Sequence, residues 1–380
     1  MPNPIKMKIL VCLDVPHLEE AGGAEVHAYR MGKALAAKGC DIKIIVPSPG
    51  AWVLKERSIR GVRTIYLPVP IVKWPKLFWF LYSCELLVLI LIHHDWPIIH
   101  LQGQKAFTSA LLGKLLAHKT VTFKLLSKNY WQIFFESKKH SFISRMLLKK
   151  IDCFISPSID LKNYVLTNGI LSKKIHYIPN GVPLTIVNHN KTSRKSLHIP
   201  DDKTIVTYAG VLYPRKNIPI LIEAWARAIK QTEKGFLFIL GDGPQRRPIE
   251  DLIIKYNLQN HVCLRGYVSN VDEYLKESDI FILPSYVEGC SNALLEAMSN
   301  GCACIASHYP WNAEIIKHDI NGLLFEPNNI PMLVDCILRL GNNPRLCQAL
   351  GQKALETIKE KFSLEDTMNM YYNLFNGCKK

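Results

Sequence analysis

The sequence lacks three features that mark common classes of protein. None of its 11 cysteines is spaced in the pairs of a metal-binding motif. The longest apolar run falls short of the roughly 20 residues that a bilayer-crossing helix needs. The opening MPNPIKMKIL leads almost directly into a predicted strand with no apolar signal stretch before it, so secretion is not expected. Cys302 and Cys304 fall in an apolar run, and we interpret the cysteines as reduced core thiols in a reducing compartment.

Acidic residues are scarce in one half of the chain only. Residues 1–180 contain 25 Lys and Arg against 11 Asp and Glu, a net charge of +14, whereas residues 181–380 have a net charge of +1. The basic half predicts an anionic partner: nucleic acid, an acidic bilayer face or a phosphorylated lipid acceptor. The alternative is a solvated basic surface that aids solubility.

Strand and helix patterns alternate along most of the 380 residues, which are 48% hydrophobic and 21% charged, as in a folded chain with room for two cores. A first βαβ unit is predicted from a strand over 8–13, a helix over 24–38 and a strand over 42–46. A second series of strands is predicted over 204–208, 236–240, 262–264, 280–283, 303–306 and 323–325. This alternation favours parallel sheets covered on both faces.

The stretch 285–306 combines a strand end, a short polar loop and a helix start with two carboxylates. Gly289, Cys290, Ser291 and Asn292 bring backbone N–H groups close to an anion, and a helix beginning near Asn292 directs its positive end there. Such a loop can hold a diphosphate. Glu288 can accept hydrogen bonds from sugar hydroxyls. Glu296, about one turn into the helix, can reach the paired hydroxyls of a ribose.

At these residues the chain resembles a retaining glycosyltransferase of the GT-B fold, family four, whose E-x7-E pattern is matched by Glu288 and Glu296. Further landmarks are similar to that family's and in its order: IPNGV at 178–182, GDGP at 241–244, GYV at 266–268 and NGLLF at 321–325. The resemblance implies an α/β fold of two Rossmann-like doubly wound domains facing a cleft. Residues 1–180 would bind the acceptor and 181–362 the nucleotide sugar, with a helix at about 363–380 packing back onto the first domain.

The resemblance also implies a basic pair for the donor diphosphate. Arg215 and Lys216 stand just ahead of a helical stretch, where cations can stabilise the negative charge that grows on the leaving group. The family commonly has Arg directly after Gly210, but this chain has Val211, so Arg215 is interpreted as the replacement. In the resembling family the loop with the Gly22-Gly23 pair lines the cleft near the donor phosphates, so Gly23 is expected there, although a tight strand-to-helix turn explains the pair equally well. Its neighbours Glu25 and His27 at the helix start are given no catalytic role.

Lys124 is the second departure from the family pattern, because many members have histidine at this strand end. A lysine there can bind a donor phosphate or a sugar hydroxyl, but with an ordinary pKa near 10 it is a poor general base. We therefore predict Glu288 and Lys124 as the catalytic residues and nominate no nucleophile. In the family, the acceptor attacks on the face that the leaving group departs from, and a phosphate oxygen takes the proton.

The resemblance implies that the nucleotide binds at Glu296, Gly241, Tyr267 and Val268. Backbone groups near Tyr267 and Val268 can read the edges of the base. The sequence has no Asp-x-Asp motif of the kind that holds a divalent metal in another glycosyltransferase fold. Helix dipoles and basic side chains can offset the diphosphate charge, so neither a metal nor a cofactor is expected.

The most hydrophobic segment, 77–92, is interrupted by Glu85 and is flanked by Trp74, Trp79 and Trp96. It is interpreted either as a helix packed on the N-terminal sheet or as a helix lying in a membrane interface, two readings that are compatible. A basic helix is predicted over 138–150, with Lys138, Lys139, Arg145, Lys149 and Lys150 facing lipid phosphates or solvent. A polar linker or mobile segment is expected over 188–200.

These features predict a transferase of a hexose or N-acetylhexosamine from a UDP- or GDP-sugar to a glycan or lipid-linked acceptor in cell-surface polysaccharide or glycolipid synthesis. We expect a cytoplasmic enzyme, peripheral at the inner membrane face, that binds no nucleic acid. The alternative is a catalytically degenerate GT-B scaffold that acts as a basic membrane- or nucleic-acid-binding protein.

Overall fold

A computed structural model describes residues 7–15, 22–128, 131–132, 146–184, 192–197, 199–200, 202–232 and 234–378. The chain forms two compact units, one of Met1–Pro179 with Thr367–Lys380 and the other of Asn180–Asp366. Each unit has a sheet with helices on both faces. The prediction of two Rossmann-like α/β units is confirmed.

Unit 1 contains, within its described residues, a sheet of eight strands in the order β3-β4-β2-β1-β5-β6-β7-β8. All neighbours are parallel except β3 and β4. Its elements are β1 Lys8–Leu13, α1 Gly23–Ala37, β2 Asp41–Pro49, β3 Lys55–Ile59, β4 Val62–Val69, α2 Pro75–Ile92, β5 Ile98–Gln102, α3 Phe107–Ala117, β6 Thr120–Lys124, β7 Cys153–Ser156, α4 Ile159–Thr167 and β8 Ile175–Tyr177.

Unit 2 contains, over the residues described for it, six parallel strands in the order β11-β10-β9-β12-β13-β14. Its elements are α5 Thr192–Leu197, β9 Thr204–Ala209, α6 Ile218–Thr232, β10 Gly235–Leu240, α7 Arg246–Lys255, β11 Val262–Gly266, α8 Val271–Lys276, β12 Ile280–Leu283, α9 Asn292–Ser299, β13 Ala303–Ser307, α10 Pro310–Ala313, β14 Leu323–Phe325, α11 Ile330–Gly341, α12 Pro344–Lys361 and α13 Leu364–Gly377. The last of these, α13, runs on into unit 1.

The polar linker expected over 188–200 is partly wrong. Residues 188–191 lie outside the described part of the chain, but Thr192–Leu197 forms α5. Leu197 and Ile199 are buried in the core of unit 2, and Arg194 Nε lies 3.0 Å from Glu277 Oε2. Two buried apolar side chains and one ion pair therefore attach this segment to unit 2, although its polar composition is typical of a linker.

The apolar segment 77–92 lies within α2, an 18-residue helix with a mean hydropathy of 1.8 that is, by length and composition alone, long and apolar enough to cross a membrane. In the fold it packs against α3 and β4, and Tyr82, Leu86, Leu89 and Ile90 are buried in the core of unit 1. Only 22% of the helix is buried, so its other face is exposed.

The structure changes two predictions about possible membrane contacts, one for Trp96 and one for the basic helix over 138–150. Trp96 is only 4% exposed and lies under Lys43 Nζ, 5.3 Å from the ring centroid, so it is not available as an interface anchor. The predicted basic helix over 138–150 falls mostly outside the described residues, including Lys138, Lys139 and Arg145. Its described end places Lys149 and Lys150 in an exposed turn.

Candidate functional site

The sheet of unit 2 has a topological switch point between β9 and β12. From β9 the chain winds outward to β10 and β11, whereas β12 leads in the opposite direction to β13 and β14. Because the two strands are parallel neighbours, the loops that follow them begin side by side at the carboxyl edge. Ligands of doubly wound sheets bind at such a point.

Lys216 and Glu288 meet at this switch point. Lys216 Nζ donates to Glu288 Oε1 at 2.5 Å, and their side chains are only 13% and 9% exposed. The loops are also joined through their backbones, because the Tyr286 N–H donates to the Arg215 carbonyl at 2.8 Å. The glutamate holds the ammonium group in place, and the ammonium has further N–H donors for an anion.

The loop after β12 leads into α9, which begins at Asn292 as predicted. Ser291 caps the helix, its Oγ accepting from the Leu294 N–H. Two hydrogen bonds from Asn180 fix this loop. The Asn180 Nδ2 donates to the Cys290 carbonyl at 2.9 Å and to Asn292 Oδ1 at 2.8 Å. The backbone of this loop is therefore held in place next to the positive end of a helix.

Asn180 and Tyr208 are two residues of this site that the sequence analysis missed. Asn180 belongs to the IPNGV landmark, which could have indicated it. Tyr208 is the last residue but one of β9, and its hydroxyl is buried without a hydrogen-bond partner among the described residues. Burial raises the pKa of this phenol well above its usual range; the charge of Glu288 raises it further and that of Arg215 lowers it. The charges of Glu288, predicted to be catalytic, and of Arg215, predicted to bind the diphosphate, therefore both act on this hydroxyl.

The predicted nucleotide-binding Gly241 has a clear structural reason to be glycine. Its φ is +142°, and a Cβ there would lie 2.0 Å from the Gly210 carbonyl oxygen. Its N–H donates to the Gly266 carbonyl at 2.7 Å, so the loops after β9, β10 and β11 are packed backbone to backbone. Beyond them Tyr267 is 55% exposed and Val268 packs partly against the core.

The structure does not bring all the predicted unit 2 residues into contact. Arg215 is exposed, and its guanidinium lies over the ring of Tyr213, with 5.6 Å to the ring centroid. Glu296 is half-buried on α9, and Gly289 is buried in the loop. Over the described residues, no group of three or more His, Cys, Asp or Glu side chains could hold a metal ion.

Lys124 of unit 1 ends β6 and is only 3% exposed. Its Nζ lies 2.9 Å from His27 Nδ1 and 5.9 Å from the ring centroid of Tyr371. Burial, then the charge of Lys124, keeps the pKa of His27 well below its usual range, with smaller contributions from His100 and Arg30. A neutral His27 accepts from the ammonium at Nδ1 and carries its proton on Nε2. His27, to which the sequence analysis gave no role, therefore positions Lys124.

His100 is the second buried histidine of this cluster. Its Nδ1 lies 2.9 Å from Thr122 Oγ1, and its ring packs edge-on against Tyr371 and Phe375 of α13. Burial, followed by the charge of Lys124, lowers its pKa to about 3. Gly23, by contrast, is exposed as the first residue of α1.

Comparison with solved structures identifies the class of this fold. The crystal structure of Anabaena HepE in complex with UDP-glucose superposes with a TM-score of 0.81 at 16% identity, covering 98% of this chain and 100% of that one. At this level of identity the likeness concerns the fold alone. The two parallel α/β units are those of the GT-B glycosyltransferases.

Two family models then match the sequence. One, described as Glycosyl transferases group 1, matches residues 189–357, and the other, described as Glycosyltransferase Family 4, matches residues 21–186. The chain belongs to the group 1 glycosyltransferases of GT-B fold, as its motifs predicted.

Curated relatives match the chain over different lengths. An uncharacterized glycosyltransferase of Methanocaldococcus jannaschii is 27% identical in an alignment of 397 positions, which covers 98% of each chain. The UDP-Gal:alpha-D-GlcNAc-diphosphoundecaprenol alpha-1,3-galactosyltransferase of Escherichia coli is 33% identical over 212 residues. That match covers 53% of this chain and 54% of the relative, so it extends over about half of each protein.

A double-mutant cycle tests the Lys216–Glu288 pair. Lys216→Met alone leaves a buried carboxylate without its cation, so we expect the free energy of unfolding of unit 2 to fall by about 3 kcal/mol. The double variant with Glu288→Gln should recover much of this loss in chemical denaturation. As a control, the exposed pair Arg227–Glu223 on α6 should show a coupling of at most about 0.5 kcal/mol. Equal coupling in the two pairs would show that the buried contact does not form in solution.

The buried His100 predicts a pH dependence for unit 1. Its pKa in the folded state is about 3, below the ordinary 6.5, so the unfolded chain binds the proton first. Its contribution to stability is complete above pH 6.5 and is lost as the pH falls toward 3.

Between pH 7.5 and 5, wild-type unit 1 should therefore lose about 2 kcal/mol more unfolding free energy than His100→Gln. Asp14, whose pKa burial raises to about 7, contributes with the opposite sign, losing its stabilising effect as the pH rises through 7. Asp14 is present in both proteins, so its contribution cancels when His100→Gln is compared with the wild type. The exposed His308→Gln in unit 2 is the control. If the unfolding free energies of wild type and His100→Gln changed in parallel with pH, His100 would not have the lowered pKa assigned to it.

Proposed function

We propose that this protein is a retaining, metal-independent glycosyltransferase. It transfers a hexose or N-acetylhexosamine from a UDP- or GDP-sugar to a glycan or lipid-linked acceptor, in cell-surface polysaccharide or glycolipid synthesis. The observation that carries the proposal is the buried contact between Lys216 and Glu288 at the switch point, beside the N-terminus of α9.

The donor diphosphate is proposed to bind at Lys216, Arg215 and the backbone N–H groups of residues 289–292. Negative charge on the diphosphate grows as the glycosidic bond breaks, so cations and helix dipoles that are already in place stabilise the transition state more than the bound substrate. Arg215 is exposed and turned onto Tyr213, and a rotation of its side chain would bring the guanidinium to a phosphate. Glu296 is proposed to accept hydrogen bonds from the ribose hydroxyls.

Glu288 is proposed to orient the donor sugar and to stabilise positive charge on its ring. The acceptor attacks on the face that the diphosphate leaves, and a phosphate oxygen takes its proton, so no protein base or nucleophile is needed for retention. Lys216 and Arg215 supply the positive charge that a divalent metal would otherwise provide. In unit 1, Lys124 is proposed to bind a phosphate or sugar hydroxyl through an ammonium group whose position His27 fixes.

The names of the relatives support the substrate class. The E. coli relative is named for a UDP-sugar donor and a lipid-linked acceptor, and the HepE structure contains UDP-glucose. A UDP-sugar is therefore the first donor to test.

Donor binding is tested by titration calorimetry of the purified protein with UDP and GDP, with and without EDTA. We expect one nucleotide to bind, without dependence on metal, and Lys216→Ala and Glu296→Ala each to weaken binding by about 10- to 100-fold, as the loss of a charge-assisted hydrogen bond predicts. Lys230→Ala, an exposed lysine at the end of α6, should leave binding unchanged. Once the donor is identified, NMR of the product should show that the new glycosidic bond has the same anomeric configuration as the sugar in the donor.

Absence of nucleotide binding even at millimolar concentration would contradict the transferase proposal and favour the degenerate scaffold. Binding that EDTA abolishes would refute metal independence, and an inverted product would refute retention.

We further propose that unit 1 attaches peripherally to an anionic membrane through the exposed apolar face of α2 and α3, here called the α2–α3 face. Its members are exposed aliphatic or aromatic side chains: Leu77, Phe80, Val88, Leu91, Ile92, Leu112, Leu115 and Leu116. The two helices pack closely, since a Cβ on Gly113 would lie 2.6 Å from Ile90 Cγ2. Exposed apolar side chains grouped on two adjoining helices are typical of an interaction site.

Charge favours a lipid surface as the partner of this face. Lys73, Lys76 and Lys105 are exposed at the start of α2 and before α3, and the first half of the chain carries the net charge of +14. Since α2 has one face buried in the core of unit 1, it would lie in the plane of the interface rather than cross it.

Co-sedimentation with vesicles tests this attachment. We expect binding to phosphatidylcholine vesicles that contain phosphatidylglycerol, weaker binding to phosphatidylcholine alone, and a loss of about tenfold or more with Leu116→Glu, which removes one inserted side chain. Ile254→Glu, at an exposed position on α7 of unit 2, is the matched control. If Leu116→Glu bound vesicles as well as the wild type does, lipid would not be the partner of the α2–α3 face. The same conclusion would follow if the wild type were a dimer and Leu116→Glu a monomer.

A further inference from the structure

Two thiols that lie far apart in the sequence meet in unit 1. Cys153 Sγ and Cys378 Sγ are 3.5 Å apart although 225 residues separate them. Cys153 begins β7, and Cys378 directly follows α13. Both are half-buried, unlike the fully enclosed Cys302 and Cys304 of unit 2.

The position of Cys378 is fixed by contacts that do not involve its sulfur atom. Its N–H donates to the carbonyl of Leu374 at 3.1 Å, and its own carbonyl accepts from Thr120 Oγ1 at 3.2 Å. Upstream in α13, Tyr371 and Phe375 are buried against His100. The helix end is thus held on β6 and β7, and the thiol contact follows from that packing.

Small molecules can reach this pair. Both cysteines line a groove with a volume of 620 Å³, together with residues of β8 and α13 that include His176, Tyr177 and Asn373. The groove is polar in part and large enough for a reagent bigger than water.

We propose that Cys153 and Cys378 form a redox-active dithiol site that a low-molecular-weight disulfide oxidises to an intrachain disulfide. The inference stands independently of the proposed transferase function, because every group it uses lies outside the candidate donor site.

The reaction is a two-step thiol–disulfide exchange. The Cys378 thiolate attacks one sulfur of the reagent disulfide, forms a mixed disulfide and releases one thiolate. The Cys153 thiol loses its proton to solvent, attacks Cys378 Sγ and releases the second thiolate. The protein loses two electrons and two protons, and the reagent disulfide is reduced to two thiols.

Either sulfur atom can be the donor in the contact between the two thiols, and we assign the order of attack with Cys153 as the donor. Donation from the Cys153 thiol lowers the pKa of Cys378 below its ordinary value, although burial opposes this. The same bond, followed by burial, raises the pKa of Cys153. Cys378 is therefore the nucleophile, since the thiolate is the reactive form.

Oxidation would link the end of α13 covalently to β7. The same helix supplies Tyr371, whose ring lies against Lys124 and His100, so the bond would restrict movement of the layer that covers the buried Lys124. In a reducing compartment the pair stays as two thiols, and the bond forms when the surrounding pool of thiols becomes oxidised.

The test is incubation of the native protein with oxidised glutathione, followed by thiol counting under denaturing conditions and peptide mass mapping. We expect nine free thiols out of the 11, a peptide pair joined through Cys153 and Cys378, and full reversal by dithiothreitol. The oxidised protein should also unfold at a temperature several degrees higher in the transition of unit 1, because the bond closes a long loop.

Variants separate this site from general thiol oxidation. Cys153→Ser should stop at a glutathione adduct on Cys378, and Cys378→Ser should form no intrachain bond. Cys84→Ser, which removes an exposed thiol of α2, should form the same intrachain bond and leave eight free thiols out of its ten. A disulfide that joins other cysteines, 11 free thiols after oxidation, or an intrachain bond that persists in Cys378→Ser would each overturn the proposal.

Discussion

The candidate donor site depends on one constraint, which is that β9 and β12 are parallel neighbours from which the chain leaves in opposite directions. Two loops therefore begin side by side at the carboxyl edge of the sheet. The loop after β9 brings Lys216, and the loop after β12 brings Glu288. A diphosphate needs cations, backbone donors and a helix N-terminus in one place, and a switch point is where a doubly wound sheet can supply all three.

Close backbone packing keeps these loops in place. Gly210 and Gly241 approach so closely that a side chain at Gly241 has no room, while Asn180 fixes the loop ahead of α9. These contacts hold Lys216 and Glu288 in one geometry in a partly desolvated setting, which is the condition under which the attraction within an ion pair can offset the cost of burying its charges. A preorganised site of this kind has already met the energetic cost of bringing its charged groups together before any ligand enters.

The sequence predicted those parts of the fold and site that rest on local patterns. The start of α9 follows from Ser291 and Asn292, and buried strands such as β12 read as apolar runs. Contacts between distant residues could not be predicted: Lys216 and Glu288 are 72 residues apart, and His27 and Lys124 are 97 apart. Edge elements were missed for a different reason. The strand β3 is almost wholly exposed and carries no apolar alternation, so only its antiparallel pairing with β4 defines it.

The environment of Lys124 shows why its replacement of the usual histidine could not be interpreted from the sequence. A buried ammonium is costly unless a neutral acceptor or a π-face compensates it, and the structure provides both, in His27 and Tyr371. Tyr371 comes from the last helix of the chain, about 250 positions after Lys124 in the printed sequence. His27 and His100 in turn stay neutral because the same burial that holds Lys124 lowers their pKa values. Lys124 thus contacts two rings, those of the neutral His27 and of Tyr371. A substitution at either of these residues would therefore change the surroundings of the predicted catalytic lysine, although both lie far from it in the sequence.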